Sequence, residues 1–221
     1  MENTKFIKFT TTHFSEEQML NRSTDFLEFM KKRKSIRSFS KKKVPLKIIE
    51  NIILTASTAP SGANKQPWTF CVVANPTIKS QIRSEAEEVE KESYKNRMST
   101  EWIEDLEQFE TNWQKPYIDD APYIIVVFKK AYDLDIDGNK KNNYYVNESV
   151  GIALGFLITA IHQAGLVTVT HTPSPMNFLS KILQRPKNER AYMLLPIGYP
   201  ADHVTVPNIV KKNLDQVYKY Y

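Results

Sequence analysis

At 221 residues with 41% hydrophobic content, the chain can bury one sizeable core, and no shift in composition marks a second domain. Its formal charge of +5 would suit a polyanionic partner, but acids and bases are interspersed, which argues against a nucleic-acid-binding face. The first twenty residues lack the apolar centre of a signal peptide, and the lone Cys71 suits a reducing compartment, so a cytoplasmic protein without a membrane span is expected.

Residues 1–22 read as a flexible N-terminal arm, and residues 23–221 as a single domain. Asp25 and Glu28 form a capping-box pattern ahead of Phe26, Phe29 and Met30, which predicts a short helix to about residue 32. It leads into Arg33-Lys34-Ser35-Ile36-Arg37, where Ile36 can anchor a turn whose arginines either stay solvated or project toward an anion. Val44-Pro45 opens a second helix, because proline suits a helix start and Leu46, Ile49, Ile53 and Ala56 repeat with helical spacing.

That helix ends in Thr58-Ala-Pro-Ser-Gly-Ala-Asn-Lys-Gln-Pro-Trp68. Pro60 blocks continuation, Gly62 permits positive φ, and the small Ser61 and Ala63 allow close approach to the main chain. Taken alone, the stretch suits a surface turn or a ligand-facing loop equally. The run from Trp68 to Val73 then reads as a buried strand containing Cys71.

The order of a basic Arg-x-Ser-x-Arg turn, a helix and a small-residue loop closing on Gln-Pro-Trp resembles the nitroreductase-like flavoprotein superfamily. The resemblance implies an α+β fold with a mixed sheet flanked by helices, built as an intertwined homodimer with FMN at the subunit interface. Arg33, Lys34, Ser35, Ile36 and Arg37 match the turn that holds the FMN phosphate and ribityl chain, and Pro60, Ser61 and Gly62 match the loop beside the flavin. A phosphate needs fixed cations and donors, and a flat ring system needs close, small backbone neighbours, so the residue types fit.

From Pro76 a helical pattern carries Ile78 and Ile82, then Glu85, Glu87, Glu88, Glu90 and Glu92. Most of these glutamates suit a solvated face, but Glu90 and Tyr94, four residues apart, share one face and can address one ligand. Trp102, Leu106, Phe109 and Trp113 follow at near-helical spacing, with Lys115 just beyond. Such spacing usually means packing, yet here it resembles the active-site lid, about residues 84–116, of the iodotyrosine deiodinase family. That resemblance covers nearly all of residues 33–215. It implies that Glu90 accepts a substrate ammonium, that Lys115 and Tyr94 bind its carboxylate, and that Ala63 meets the phenolate through its backbone N–H.

Further on, residues 123–128 read as a second buried strand, and residues 135–141 as a polar loop containing Gly138. Residues 148–164 read as a helix buried on all sides, too short in its uncharged part to cross a bilayer. A strand over 166–170 leads to Thr170-His171-Thr172, which the resemblance places against the flavin. Thr172 would donate to N5, and His171, standing in place of the more familiar threonine, would act through its backbone. A short helix around 178–183 and a strand over 192–198 precede the tail; there the resemblance implies that Lys211 stands in place of an arginine that completes the phosphate site, exchanging a bidentate fork for a point charge.

The expected activity is FMN-dependent reductive dehalogenation of 3-iodotyrosine and 3,5-diiodotyrosine, with bromo and chloro analogues, giving tyrosine and halide. Electrons would come from NAD(P)H or a partner reductase, no metal is called for, and the vertebrate membrane anchor would be absent. The alternatives are a general nitroreductase or quinone reductase, and a non-catalytic flavin or halotyrosine binder.

Overall fold

A computed structural model describes residues 6–221, so residues 1–5 of the expected arm lie outside the described residues. The chain forms two compact units, Met1–Arg33 and Lys34–Tyr221. In the first, helix α1 spans Glu16–Lys31 and includes residues 16–22, which the sequence assigns to a flexible arm. Its start is set by a capping box further upstream than Asp25: Ser15 Oγ accepts from the Gln18 N–H, and the Gln18 side chain accepts from the Ser15 N–H. Glu28 lies inside this helix and pairs with Lys31 at 2.6 Å.

The second unit contains α2 (Leu46–Ser57), a 3-10 turn (Gly62–Asn64), β1 (Trp68–Val73), α3 (Pro76–Asn96), α4 (Thr100–Glu107) and α5 (Tyr117–Asp120). After these come β2 (Tyr123–Lys130), the hairpin strands β3 (Tyr132–Leu134) and β4 (Lys140–Asn142), α6 (Val146–Gln163), β5 (Val167–Thr168), α7 (Asn177–Ile182), β6 (Glu189–Gly198) and α8 (Leu214–Val217). The main sheet has the order β1-β2-β6-β5 with antiparallel pairing throughout, and its parallel element is the single bridge between Ser35 and Thr168.

Strand β2 explains why its sequence reads as an unbroken apolar run. Ile125 and Val127 face a core that includes Ile49, Ile52, Leu154 and Leu157 from α2 and α6. Ile124, Val126 and Phe128 face the other side, against Ile82, Ile118 and Leu179 from α3, α5 and α7. Helices cover both faces, so alternation gives way to continuous hydrophobicity, and each fully buried side chain contributes roughly 1.5–3 kcal/mol.

Three local expectations change. Helix α6 buries Val150, Ala153, Leu154, Leu157 and Ile161, but Ile152 and Phe156 are 43% and 40% exposed, so the helix is not covered on all sides within one chain. The polar loop at 135–141 forms the tip and returning arm of the β3–β4 hairpin, with Asp135 Oδ1 accepting from the N–H groups of Asp137 and Asn139. The strand expected over 166–170 is confined to Val167–Thr168; beyond it the chain meets β6 again only at the His171–Leu194 bridge. Among the described residues no helix is long and apolar enough to cross a membrane.

Gly198, at the end of β6, is required for steric reasons. A Cβ there would lie 2.5 Å from Pro122 Cδ and 3.3 Å from Phe39 Cδ1, and the proline ring has little room to yield. Gly198→Ala is expected to destabilise the fold by about 1–3 kcal/mol, read as a lower urea midpoint at an unchanged m-value.

Candidate active site

The basic turn is docked by its apolar member. Ile36 is buried, and its N–H donates to the Thr168 carbonyl at 3.1 Å, which turns Ser35 and Arg37 toward a cavity of about 370 Å³. Ser38, Gln108, Phe109, Glu110 and the tail residues Thr205 to Pro207 complete its lining. The Arg37 guanidinium lies 6.0 Å from the Phe109 ring centroid. The hydroxyls of Ser35, Ser38 and Thr205 and the Arg37 cation suit a phosphate and a polyhydroxyl chain, with the Glu110 carboxylate the opposing charge in the lining. Lys34 is exposed, Arg33 closes the first unit with its N–H donating to Met30 O, and Lys211 is an exposed tail residue outside the lining set.

Arg37 also borders a second, half-open cavity of about 360 Å³. Helix α3 supplies Glu90, Ser93 and Tyr94, α4 supplies Trp102 and Leu106, and the chain after β5 supplies Thr170, His171 and Thr172. Lys115 and Tyr117 close one side. Glu90, Tyr94, Lys115 and the Thr170–Thr172 segment, distant in sequence, are thus brought to one cavity. The chain gets there because Asn75 caps α3, its side chain accepting from the Thr77 and Ile78 N–H groups, and because Ile82 and Ala86, two turns and one turn before Glu90 on the same side of that helix, are buried in the core.

Glu90 is the electrostatic centre. Its Oε1 lies 3.1 Å from His171 Nε2 and its Oε2 lies 3.5 Å from Lys115 Nζ, with all three side chains largely buried. Burial alone would raise the Glu90 carboxyl, but the His171 hydrogen bond and the Lys115 charge outweigh it and hold the group below its ordinary value. Burial lowers the Lys115 ammonium, with Glu90 opposing that shift. Lys115 Nζ also contacts the Asn112 carbonyl, and its own N–H donates to Glu87 Oε1 at 2.7 Å. Glu87, assigned to a solvated face with most of its neighbours, instead links Arg83 to the Lys115 backbone. The Tyr94 hydroxyl donates to the Thr111 carbonyl at 3.3 Å, and burial raises its ionisation range.

A model of the nitroreductase family matches residues 30–199. A protein of Haliscomenobacter hydrossis named iodotyrosine deiodinase is 57% identical over 98% of this chain and 97% of its own length. The chain belongs to the nitroreductase family, among the iodotyrosine deiodinases. Human iodotyrosine deiodinase 1 is 46% identical, matching 98% of this chain and 75% of its own length. An iodotyrosine deiodinase crystallised with FMN and 3-iodo-L-tyrosine superposes with a TM-score of 0.72 at 34% identity, covering 85% of this chain and 98% of that one.

Two site residues differ from the reading of the sequence. Gly62 does not use the positive φ that glycine permits; the left-handed residues of its loop are Ala63, Asn64 and Gln66, at φ 48°, 54° and 49°. Gly62 is needed instead for close approach, since a Cβ would lie 3.0 Å from the Tyr144 carbonyl oxygen. Three left-handed non-glycine residues within four positions store strain of the kind found beside ligands. Pro60, Ser61, Gly62 and the exposed Ala63 all stand outside the lining of the Glu90 cavity.

His171 also differs. Its N–H donates to Leu194 O at 2.9 Å and its carbonyl accepts from Leu194 N–H at 3.0 Å, so its backbone is committed to β6 while its ring turns to Glu90. Residue type alone could not reveal this, because no local spacing links positions 90 and 171.

Because Glu90 is depressed, its share of folding stability is present above its ordinary value of 4.5 and lost as pH falls through its lower folded value. Glu90→Gln is therefore expected to cost about 1.5–3 kcal/mol at pH 7. The gap from the parent should narrow progressively in acid below that ordinary value, as followed by denaturant melts across pH.

Proposed function

We propose that this protein is an FMN-dependent oxidoreductase that reductively dehalogenates 3-iodotyrosine and 3,5-diiodotyrosine, with bromo and chloro analogues, releasing tyrosine and halide. The observation that carries the reading is the buried Glu90–Lys115 pair on a closing wall of the Glu90 cavity. An α-amino acid carries a cation and an anion a few ångströms apart. Such a ligand can exchange with the resting pair, its ammonium taking Glu90 and its carboxylate taking Lys115 and Tyr94. A general nitroaromatic or quinone has no use for this arrangement.

FMN, when bound, supplies the electrons. Ser35 and Arg37, with the Lys34 and Ile36 backbone, hold its phosphate and ribityl chain, and Arg33 and Lys211 add charge from flanking segments. Thr170 and Thr172 line the adjoining cavity, and the Thr172 hydroxyl holds a proton toward flavin N5. Overall, the carbon–iodine bond breaks, two electrons and one proton are taken up, and iodide leaves. Residues 84–116 act as the lid over a domain of residues 23–221, excluding water so that each fixed donor acts at full strength.

A homodimer completes the site. Pro60, Ser61, Gly62 and Ala63 lie outside the cavity of their own chain, while Ile152 and Phe156 on α6 leave an apolar stripe uncovered. Packing two such stripes would bring one copy's loop to the other's cavity, with the Ala63 N–H facing the phenolate. NAD(P)H or a partner reductase supplies reducing equivalents, and the cytoplasm is the setting we assign.

The test is to purify the protein with its flavin, reduce it anaerobically with dithionite and add 3-iodotyrosine. Stoichiometric iodide release is expected, falling at least tenfold in Lys115→Ala as the charge-assisted contact of about 1.5–3 kcal/mol is lost. Nitroaromatic turnover with no iodide release would favour the general reductase, and tight halotyrosine binding without release would favour a binder.

A further inference from the structure

We infer that His171 is a positioning residue for the amino-acid head group: its Nε2–H holds the Glu90 carboxylate in place while leaving the carboxylate's charge to the incoming ammonium. This rests on the assignment of Glu90 as the ammonium acceptor. Of the two partners of Glu90, Lys115 is the one that must turn to the ligand carboxylate, so it cannot keep Glu90 oriented when the site fills. His171 can. Its backbone is tied to Leu194 on both sides, its ring stands edge-on to Tyr117 at 5.9 Å, and the residue is only 6% exposed. The contact links α3, part of the lid, to a residue anchored on β6.

The protonation state follows from the surroundings. His171 Nδ1 is buried and has no hydrogen-bond partner among the described residues. A bare lone pair is tolerable there, whereas the N–H of an imidazolium would be left buried and unsatisfied. Burial lowers the ring's proton affinity, and Lys115 and Arg37 push the same way against the opposing pull of Glu90. The neutral Nε2–H tautomer results. It donates one hydrogen bond to Glu90 without adding a second cation beside Lys115, so the carboxylate stays available for the ammonium. With Nε2 committed and Nδ1 buried, the ring is not placed to act as a general base.

The experiment is a calorimetric titration of the FMN-loaded protein with 3-iodotyrosine and with 2-iodophenol, which lacks the head group. His171→Phe should weaken 3-iodotyrosine about tenfold, the size of one charge-assisted contact, while moving 2-iodophenol less than about twofold. His171→Gln, which restores an N–H donor, should recover most of the loss. In a Glu90→Ala background His171→Phe should add no further loss. Equal weakening of both ligands, no weakening of 3-iodotyrosine, or an additive double variant would overturn the proposal.

Nitrogen-15 NMR of the unsubstituted protein provides a second measurement that does not depend on variants folding. A neutral ring protonated on Nε2 at pH 7, whose Nε2 signal shifts with 3-iodotyrosine but not with 2-iodophenol, is expected. An imidazolium or the Nδ1–H tautomer would overturn it. A parent protein binding both ligands alike would count against Glu90 as the head-group site, and the imidazole signal would still decide whether His171 holds Glu90.

Discussion

A carboxylate taken out of water and kept ionised organises this molecule. Glu90 is largely buried, and a charge in that position is tolerable only where fixed donors replace its hydration. Here they come from two directions: Lys115 lies after α4, and His171 is pinned to β6. Helix α3 therefore has to lie where it does, and the segment carrying Trp102 and Leu106 is drawn over the same cavity. The arrangement stores binding potential, because each member of the Glu90–Lys115 pair matches one end of a zwitterion.

The sheet and the helices around it supply the rigid side of this arrangement. With β2 buried on both faces, β6 is held in register and can fix the backbone of His171 through Leu194. Thr170 and Thr172 flank His171 and line the same cavity, so three consecutive side chains face it from one short segment. The loop at 60–66 is different in kind. Its left-handed Ala63, Asn64 and Gln66 hold strain that an ordinary surface turn does not require.

Much of this was legible in the chain. Trp68 to Val73 and Tyr123 to Phe128 announce strands by β-branched and aromatic content, and both form there; the second is buried as expected, whereas the first is an edge strand buried only at Trp68 and Val73. Glu90 and Tyr94 were separable from the other glutamates because a four-residue step places an acid and a phenol on one helical face. Other features were hidden for physical reasons. Asp25 and Glu28 look like a helix start, but an upstream Ser15–Gln18 pair caps the helix first and leaves positions 25 and 28 in its interior, and nothing local ranks the two. The uncovered stripe on α6 was masked because its exposed residues are as apolar as its buried ones. The His171–Glu90 contact spans 81 positions and depends on tertiary placement.

The central claim is that a zwitterion replaces the Glu90–Lys115 pair. The most direct measurement compares the affinity of the FMN-loaded protein for 3-iodotyrosine, its N-acetyl derivative and its methyl ester. Each derivative removes one charge and leaves the iodophenol intact. Both should bind at least tenfold more weakly than 3-iodotyrosine, as expected when one charge-assisted contact of about 1.5–3 kcal/mol is lost. Affinity for either derivative equal to that for 3-iodotyrosine would contradict the exchange of one ion pair for the other.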